Sequence, residues 1–342
     1  MLFAPAGAVV RPWRVTRVRT SAHRALPPEL VEQLLACQNA ADLVDRPGDP
    51  PTCRAELQAQ LAPPFRGHRF VHLAQDRAGR LIGFARLGIY GAFHRELAHG
   101  ALVVHPAARR HGVGTALLGG IASMAAAHGR ARLVLDGPRN AATDGFGRAG
   151  GFAVGGCDLR SRLAMDAAGL QAALTGLIPA QRGARDGHLL ALRWSGPCPD
   201  YLLDALIATL DTLHADPADP AVTPFTAAEV RHREHGAVQA GLREYTACLF
   251  DPATGRMAAL STAHTADGLR GEQNETVVVP EYRGRGLAIR VKAYLVRELL
   301  GAEPGLRMLD TYNAVANTRM LAVNRRLGFQ PVDTHAAWTL TL

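Results

Sequence analysis

Lysine is almost absent from this sequence. One residue, Lys292, stands among 38 basic side chains; the others are arginines spread along the chain with no dense run. The net charge of +8 therefore lacks the concentrated stripe of a nucleic-acid binder and reads as compositional bias, though a basic surface can still steer an anionic cofactor. No nucleic-acid partner is expected. Cysteine is sparse as well. Cys37, Cys53, Cys157, Cys198 and Cys248 lie far apart, without C-x-x-C or Cys/His ligand spacing, so neither a disulfide framework nor a metal site is expected. No apolar run approaches the roughly 18–20 residues a membrane-spanning helix needs, so no membrane partner is expected. The opening Met1-Leu2-Phe3-Ala4-Pro5-Ala6-Gly7 has neither a basic leader nor a long apolar stretch, and a cytoplasmic location follows as the expectation. A G-K-(S/T) phosphate loop is missing too.

What is present is a globular composition, 48% hydrophobic and 20% charged, in 342 residues. That length suits two cores of roughly 150 residues each better than one. The sequence also contains itself twice. Val103-Val104-His105-Pro106-Ala107-Ala108-Arg109-Arg110-His111-Gly112-Val113-Gly114 has a counterpart in Val277-Val278-Val279-Pro280-Glu281-Tyr282-Arg283-Gly284-Arg285-Gly286-Leu287-Ala288. Both read as a β-branched run, a proline and R-x-x-G-x-(G/A). Both are followed by an apolar helical stretch, a short strand and a closing Gly-Phe, at Gly151-Phe152 and Gly328-Phe329. The copies are 174 positions apart at the arginines (283 − 109) and 177 at the closing phenylalanines (329 − 152), which marks a duplication.

Patterning predicts matching elements in the two copies. In the first, strands are expected over 13–19, 70–74, 81–90, 102–105, 131–135 and 159–165, with helices from Pro27-Pro28 and over 112–128. In the second, strands are expected over 188–194, 243–250, 257–263, 276–279, 306–311 and 338–342, with helices over 201–213, 286–300 and 316–327. Thr226 and Glu229 form a capping-box candidate for a further helix. The Ala/Gly-rich stretch 166–186 reads as the connection. The expected division is an N-terminal domain over 1–168, a linker over 169–186 and a C-terminal domain over 187–342.

The R-x-x-G-x-(G/A) segment falls where a strand turns into a helix. The first N–H groups of a helix lack internal partners and carry the positive end of its dipole, so a pyrophosphate placed there accepts several hydrogen bonds. Gly112, Gly114 and Gly286 would let phosphates approach the backbone, and Ala288 is the largest side chain expected at its position. Arg109, Arg110, Arg283 and Arg285 add charge. A Rossmann site is disfavoured, because it wants G-x-G-x-x-G near the chain start, a downstream acid and repeated βαβ units.

At these residues the sequence resembles the GNAT superfamily of acyl-CoA N-acyltransferases, in a tandem layout similar to mycothiol synthase-like actinobacterial acetyltransferases. The resemblance implies an α+β fold, two GNAT units each with a mixed, mostly antiparallel sheet flanked by helices. It implies acetyl-CoA as cofactor, held in the second copy by Val277, Val278, Val279, Arg283, Gly284, Arg285, Gly286, Leu287, Ala288, Asn313 and Asn317. In the first copy the corresponding residues are Val103, Val104, Arg109, Arg110, Gly112, Val113, Gly114 and Thr115. The pantetheine arm would lie in a gap between residues 276–279 and 306–311, and likewise between 102–105 and 131–135. The acceptor would be a small-molecule primary amine, and the chain a monomer or homodimer.

Acetyl transfer to an amine needs a base, an oxyanion hole and a proton for the leaving thiolate. Relatives often supply the proton from a tyrosine ahead of the closing Gly-Phe. Here Asn324 stands at that place in the second copy and glycine in the first, so the acid is Asn324 acting only through a hydrogen bond, or Tyr312. Glu275 is the candidate base, with Glu272 as a second. The first copy offers His99, Glu96 and Asn140, but Gly145, Gly147, Gly150 and Gly151 loosen its last helix. It therefore reads as a copy that lost chemistry and kept a structural or ligand-binding role. Two other readings stay open: an acyltransferase with a longer or carrier-bound donor, and a non-catalytic acyl-CoA sensor.

Overall fold

The computed structural model describes residues 13–20, 26–91, 96–178, 188–214 and 224–342. The opening heptapeptide and residues 179–186 of the expected linker lie outside the described residues. The first copy comprises β1 (Trp13–Thr20), α1 (Pro28–Asp45), α2 (Arg54–Leu61), β2 (His68–Asp76), β3 (Leu81–Ile89), β4 (Leu97–Val104), α3 (Val113–Ala127), β5 (Arg132–Pro138), α4 (Ala141–Ala149) and β6 (Ala153–Ala164). Next come α5 (Leu170–Leu177), β7 (Leu190–Ser195), α6 (Asp200–His214), α7 (Ala227–Ala240), β8 (Arg243–Asp251) and β9 (Arg256–Thr265). The chain ends with β10 (Arg270–Val278), α8 (Leu287–Ala302), β11 (Met308–Ala314), α9 (Thr318–Leu327) and β12 (Gln330–Thr341).

Local chemistry sets these elements. Pro28 opens α1 at its first position, where its missing N–H costs nothing. The β2–β3 turn is tied by Asp76, whose carboxylate accepts from the Ala78 and Arg80 N–H groups, and Gly79 supplies the positive φ. Thr226 caps α7 by accepting from the Glu229 N–H. Two helices fall where the sequence carries little pattern. The stretch before Gln60 holds α2, and the expected linker holds α5, whose Leu170 and Leu174 are buried against α8. Small residues around those two leucines mask the period.

The described strands form one twelve-stranded sheet in the order β1-β2-β3-β4-β5-β12-β6-β11-β10-β9-β8-β7. Neither copy closes its own sheet. The final strand β12 lies between β5 and β6 of the first copy, while β6 pairs with β11 of the second. Trp338, Ala336 and Leu340 of β12 consequently pack into the core beneath α3. Gly147 of α4 faces this exchanged strand. A Cβ there would lie 2.6 Å from the Trp338 ring, so the glycine clears space for the indole. Gly147→Ala is expected to destabilise the protein by ~1–3 kcal/mol through overpacking, read from urea unfolding; an unchanged midpoint would mean the indole moves freely.

Each copy buries both faces of its half-sheet. In the second, α8 covers one face with Val291, Leu295, Val296 and Leu299, while α6 and α7 cover the other with Leu202, Leu206, Leu210 and Val230. In the first, α3 and α1–α2 take the corresponding places.

Candidate active site

In the second copy β10 leads through Val279 and a 3₁₀ turn, Pro280–Tyr282, to Arg283, Gly284, Arg285 and Gly286, and α8 begins at Leu287. Gly284 and Gly286 have φ of +76° and +70°, the left-handed region that favours glycine. A Cβ at either would meet nothing within 4 Å, so there is open space beside the loop at the start of α8, whose first N–H groups have no partner within the helix. Tyr282 anchors it from below by donating its hydroxyl to Asp251 at 2.5 Å, and Arg285 stacks on that ring at 5.0 Å. Arg283 donates Nε to the Val278 carbonyl at 3.1 Å; its exposed Nη groups have no partner among the described residues. Val277 and Val279 bury their side chains, so at these positions the strand offers a ligand its backbone.

Behind the loop the sheet splits. β10 pairs with β11 only from Arg270–Gln273 to Met308–Thr311. Beyond that, 274–278 and 312–314 diverge. The gap thus opens past Thr311, further along than the expected 306–311, because those residues are still paired. The β10–β9 register slips by one residue between Gln273 and Thr276, a β-bulge that turns backbone N–H groups out of the ladder. Such groups can hold a thioester oxyanion.

Two buried amides flank the gap, each with an oxygen that lacks a partner among the described residues. Gln273 donates Nε2 to Ser261 Oγ at 3.1 Å and leaves Oε1 unsatisfied. Asn324 donates Nδ2 to Asn313 Oδ1 at 2.6 Å and likewise leaves Oδ1 unsatisfied. Both residues are 1% exposed. A buried acceptor without a donor costs ~1–3 kcal/mol, which a ligand's amide N–H would recover. The pantetheine arm of coenzyme A carries two such amides, so these residues fit the cofactor. Asn317 serves the helix instead. It is exposed and caps α9 by accepting from the Met320 N–H at 3.1 Å.

On the α7 side of the sheet one cross-strand row runs Glu244, His264, Glu272, Asp310 and Arg162. Asp310 is held by Arg162 at 2.6 and 2.7 Å. The carboxylates of Glu244 and Glu272 have no hydrogen-bond or ion-pair partner among the described residues. Burial pushes both carboxyl groups above their ordinary range, partly opposed by Arg233 and His264 at Glu244 and by His264 and Arg270 at Glu272. Glu275 sits in the bulge and behaves oppositely. Burial would raise its carboxyl, but the Arg233 guanidinium at 3.3 Å and the Thr262 hydroxyl at 2.6 Å hold it low. Asn274 and His264 meet at 3.0 Å. Tyr312 stands edge-on to His335 at 4.9 Å, and burial pushes its hydroxyl up to about 12, a poor proton donor at neutral pH.

The first copy follows the same backbone path with its features filled in. Arg110, with φ of +66°, and Gly112, with φ of +78°, take the places of the two loop glycines. Arg109 makes the same Nε bond, to Val104 at 3.1 Å, but its fork is closed on the Asp45 carboxylate at 2.8 and 2.7 Å. A Cβ at Gly114 would lie 3.1 Å from Phe146, so this glycine makes room for a ring, a different role from the phosphate contact expected of it. Val113 is buried; Thr115 is exposed; Val103 and Val104 are half-buried. The gap here begins past Leu135, since Leu97–Gly100 still pair with Arg132–Leu135, and the β3–β4 register runs without a bulge. His99 packs edge-on against Tyr90, Glu96 pairs with Arg132, and Asn140 caps α4.

Residues 34–150 match the acetyltransferase (GNAT) family. No curated protein matches the sequence. In structure the chain is similar to a tandem GNAT protein from the clavulanic acid biosynthesis pathway, solved without AcCoA: TM-score 0.78, 24% identity, covering 96% of this chain and 98% of that one. It is also similar to a GCN5-related N-acetyltransferase from Sphaerobacter thermophilus, with TM-score 0.65, 14% identity and 95% of each chain covered. A third similarity is to Saccharomyces cerevisiae N-myristoyltransferase with bound myristoyl-CoA, with TM-score 0.61, 10% identity, and 97% of this chain and 83% of that one covered. At these identities the shared property is the fold.

Proposed function

We propose that this chain, a tandem GNAT fold whose residues 34–150 match the acetyltransferase family, transfers acetyl from acetyl-CoA to a primary amine of a small molecule, and that its second copy does the chemistry. The observation that carries the reading is the asymmetry between copies. Only the second combines a bulged strand, a gap flanked by orphaned amide oxygens and a loop whose arginine fork is free. In the first, Asp45 occupies that fork and no bulge interrupts β4.

The steps follow from position. The helix terminus and Arg283 would hold the pyrophosphate, and Gln273, Asn313 and Asn324 the pantetheine amides. When bound, the cofactor supplies an activated thioester. Bulge N–H groups stabilise the oxyanion as the amine attacks. Glu272, unpartnered and raised by burial, takes the amine's proton, while Glu275, kept ionised by Arg233, orients the incoming ammonium. The carboxylates along this row favour a short acyl group over a long hydrocarbon tail.

Calorimetric titration of acetyl-CoA is expected to give one site per chain, abolished by Gly286→Trp and unaffected by Gly112→Trp. Two equivalent sites would refute the division of labour between copies, and no binding would refute the function. Thiol release from acetyl-CoA against a panel of amines tests turnover directly, and binding without release across the panel favours a sensor.

A further inference from the structure

The chain's one lysine is also one of its largest fully buried side chains. Lys292 lies in the second turn of α8, 1% exposed, with Nζ 5.3 Å from the centroid of the Phe329 ring. It has no hydrogen-bond or ion-pair partner among the described residues. An unpaired ammonium is unfavourable in such a place, and burial alone pushes its pKa down to about 7. The charged groups on the elements around α8 are engaged elsewhere. Arg193 of β7 pairs with Glu298, Arg243 and Tyr245 of β8 hold Glu303, and Asp251 takes the Tyr282 hydroxyl. Arg256 of β9 pairs with Glu281, Glu272 and Glu275 of β10 lie on the far face of the sheet, and Arg319, Arg325 and Arg326 of α9 are exposed.

The first copy shows whether the fold needs a lysine here. The register that matches Arg109 to Arg283 matches Leu118 to Lys292, and Leu118 is buried in α3 without chemistry. A leucine therefore does the packing. Arginine is this chain's cation everywhere else, and arginine cannot release its proton at accessible pH. Position gives the lysine its role. It lies five residues along α8 from Leu287, about 7.5 Å of helix rise beyond the phosphate loop. Phe329, the ring beneath Nζ, donates its N–H to the Asn324 carbonyl at 3.0 Å, so Lys292 shares a seam with the residue standing where a proton donor is wanted.

We propose that Lys292 is the proton donor to the departing thiolate of coenzyme A, a role that rests on the acetyl-transfer reading. As the tetrahedral adduct collapses, the C–S bond breaks, its electron pair stays on sulfur, and the Lys292 ammonium gives sulfur a proton. Coenzyme A leaves as the free thiol. The neutral lysine regains a proton from solvent, to which the proton taken from the acceptor amine has passed.

The test exploits the lysine's solitude. Lysine labelled with ¹³C at Cε gives a single signal in the untagged chain. That signal is expected to titrate near neutral pH and to shift when coenzyme A is added. Titration near 10.5 with no response to coenzyme A would overturn the proposal. In kinetics, Lys292→Leu, which copies the first repeat, is expected to lower kcat by about 100-fold or more with little change in coenzyme A affinity. It should also remove the fall of kcat on the basic side of neutrality, since the ammonium is the active form, and Lys292→Arg should not restore it. Retained kcat with the same basic limb in Lys292→Leu would also refute the role. Wild-type protein that binds coenzyme A but acetylates no amine would refute the function instead, while the labelled signal still reports whether Lys292 lies against the cofactor. That measurement needs no variant to fold.

Discussion

Replacing Glu272 with glutamine is expected to lower kcat by ~10²–10³ while leaving coenzyme A affinity within a few-fold. The geometry separates the two properties. Glu272 stands on the α7 face of β10, whereas the groups proposed to hold the cofactor, the phosphate loop and the orphaned amides of Gln273 and Asn324, do not involve its carboxylate. Its carboxyl is raised by burial, with Asp310 and Glu56 adding to the effect, so the acid limb of kcat/KM should lie above the ordinary carboxylate range and disappear in Glu272→Gln. The sign for stability is opposite. A raised carboxyl binds its proton more tightly folded than unfolded, so stability falls as pH climbs from the unfolded to the folded pKa, and at neutral pH the ionised group burdens the fold. Glutamine removes that burden; the melting temperature should hold or rise as activity falls. Glu275→Gln should behave differently, weakening acceptor KM more than kcat because Glu275 is already paired with Arg233. If Glu275→Gln abolishes turnover while Glu272→Gln does not, the roles are reversed.

The unequal legibility of this site has a physical origin. The phosphate loops can be read from the sequence because glycine, proline and arginine act locally, through φ and charge, within a dozen residues. The N-cap Thr226 is visible for the same reason, whereas Asn140 and Asn317, read from the sequence as site residues, cap α4 and α9. The row of Glu244, His264 and Glu272 is spread over 28 positions (272 − 244) and exists only through strand register, which neighbouring residues do not encode. The Asp45–Arg109 pair, which distinguishes the first loop from the second, spans 64 positions and is invisible on the same grounds. Helix α2 escapes notice because Cys53 stands at its N-cap and only Leu57 and Leu61 mark its buried side. The strand exchange lies deepest. It brings together residues far apart in sequence, with Trp338 of β12 fitting the space that Gly147 of α4 leaves for its ring.

That exchange leads to the second large effect, on stability. Arg160→Met is expected to destabilise the protein by ~3–5 kcal/mol and to leave a single cooperative unfolding transition. Arg160 is 2% exposed on β6. It holds Asp333 of β12 at 2.9 and 2.6 Å and contacts Asp310 of β11 at 3.4 Å. It also pairs with Asp49, between α1 and α2, and Arg162, two residues further along β6, ties Asp49 and Asp310. Removing the guanidinium leaves three carboxylates enclosed with one cation fewer, and the loss falls on strands from both copies. The Asp49 and Asp333 carboxyls report the balance. Burial would raise each, but Arg160 with Arg162 outweighs it at Asp49, and His335 with Arg160 outweighs it at Asp333, which is held at about 2. A carboxyl lowered by folding stabilises above its unfolded value, near 3.8, and loses that contribution as pH falls through the folded value. The difference between wild type and Arg160→Met should therefore be full at pH 7 and shrink towards pH 2. Urea unfolding followed by circular dichroism and tryptophan fluorescence measures both quantities. Two separated transitions in the wild type would mean that the copies fold independently despite sharing strands, and a pH-independent difference would assign the loss to packing alone.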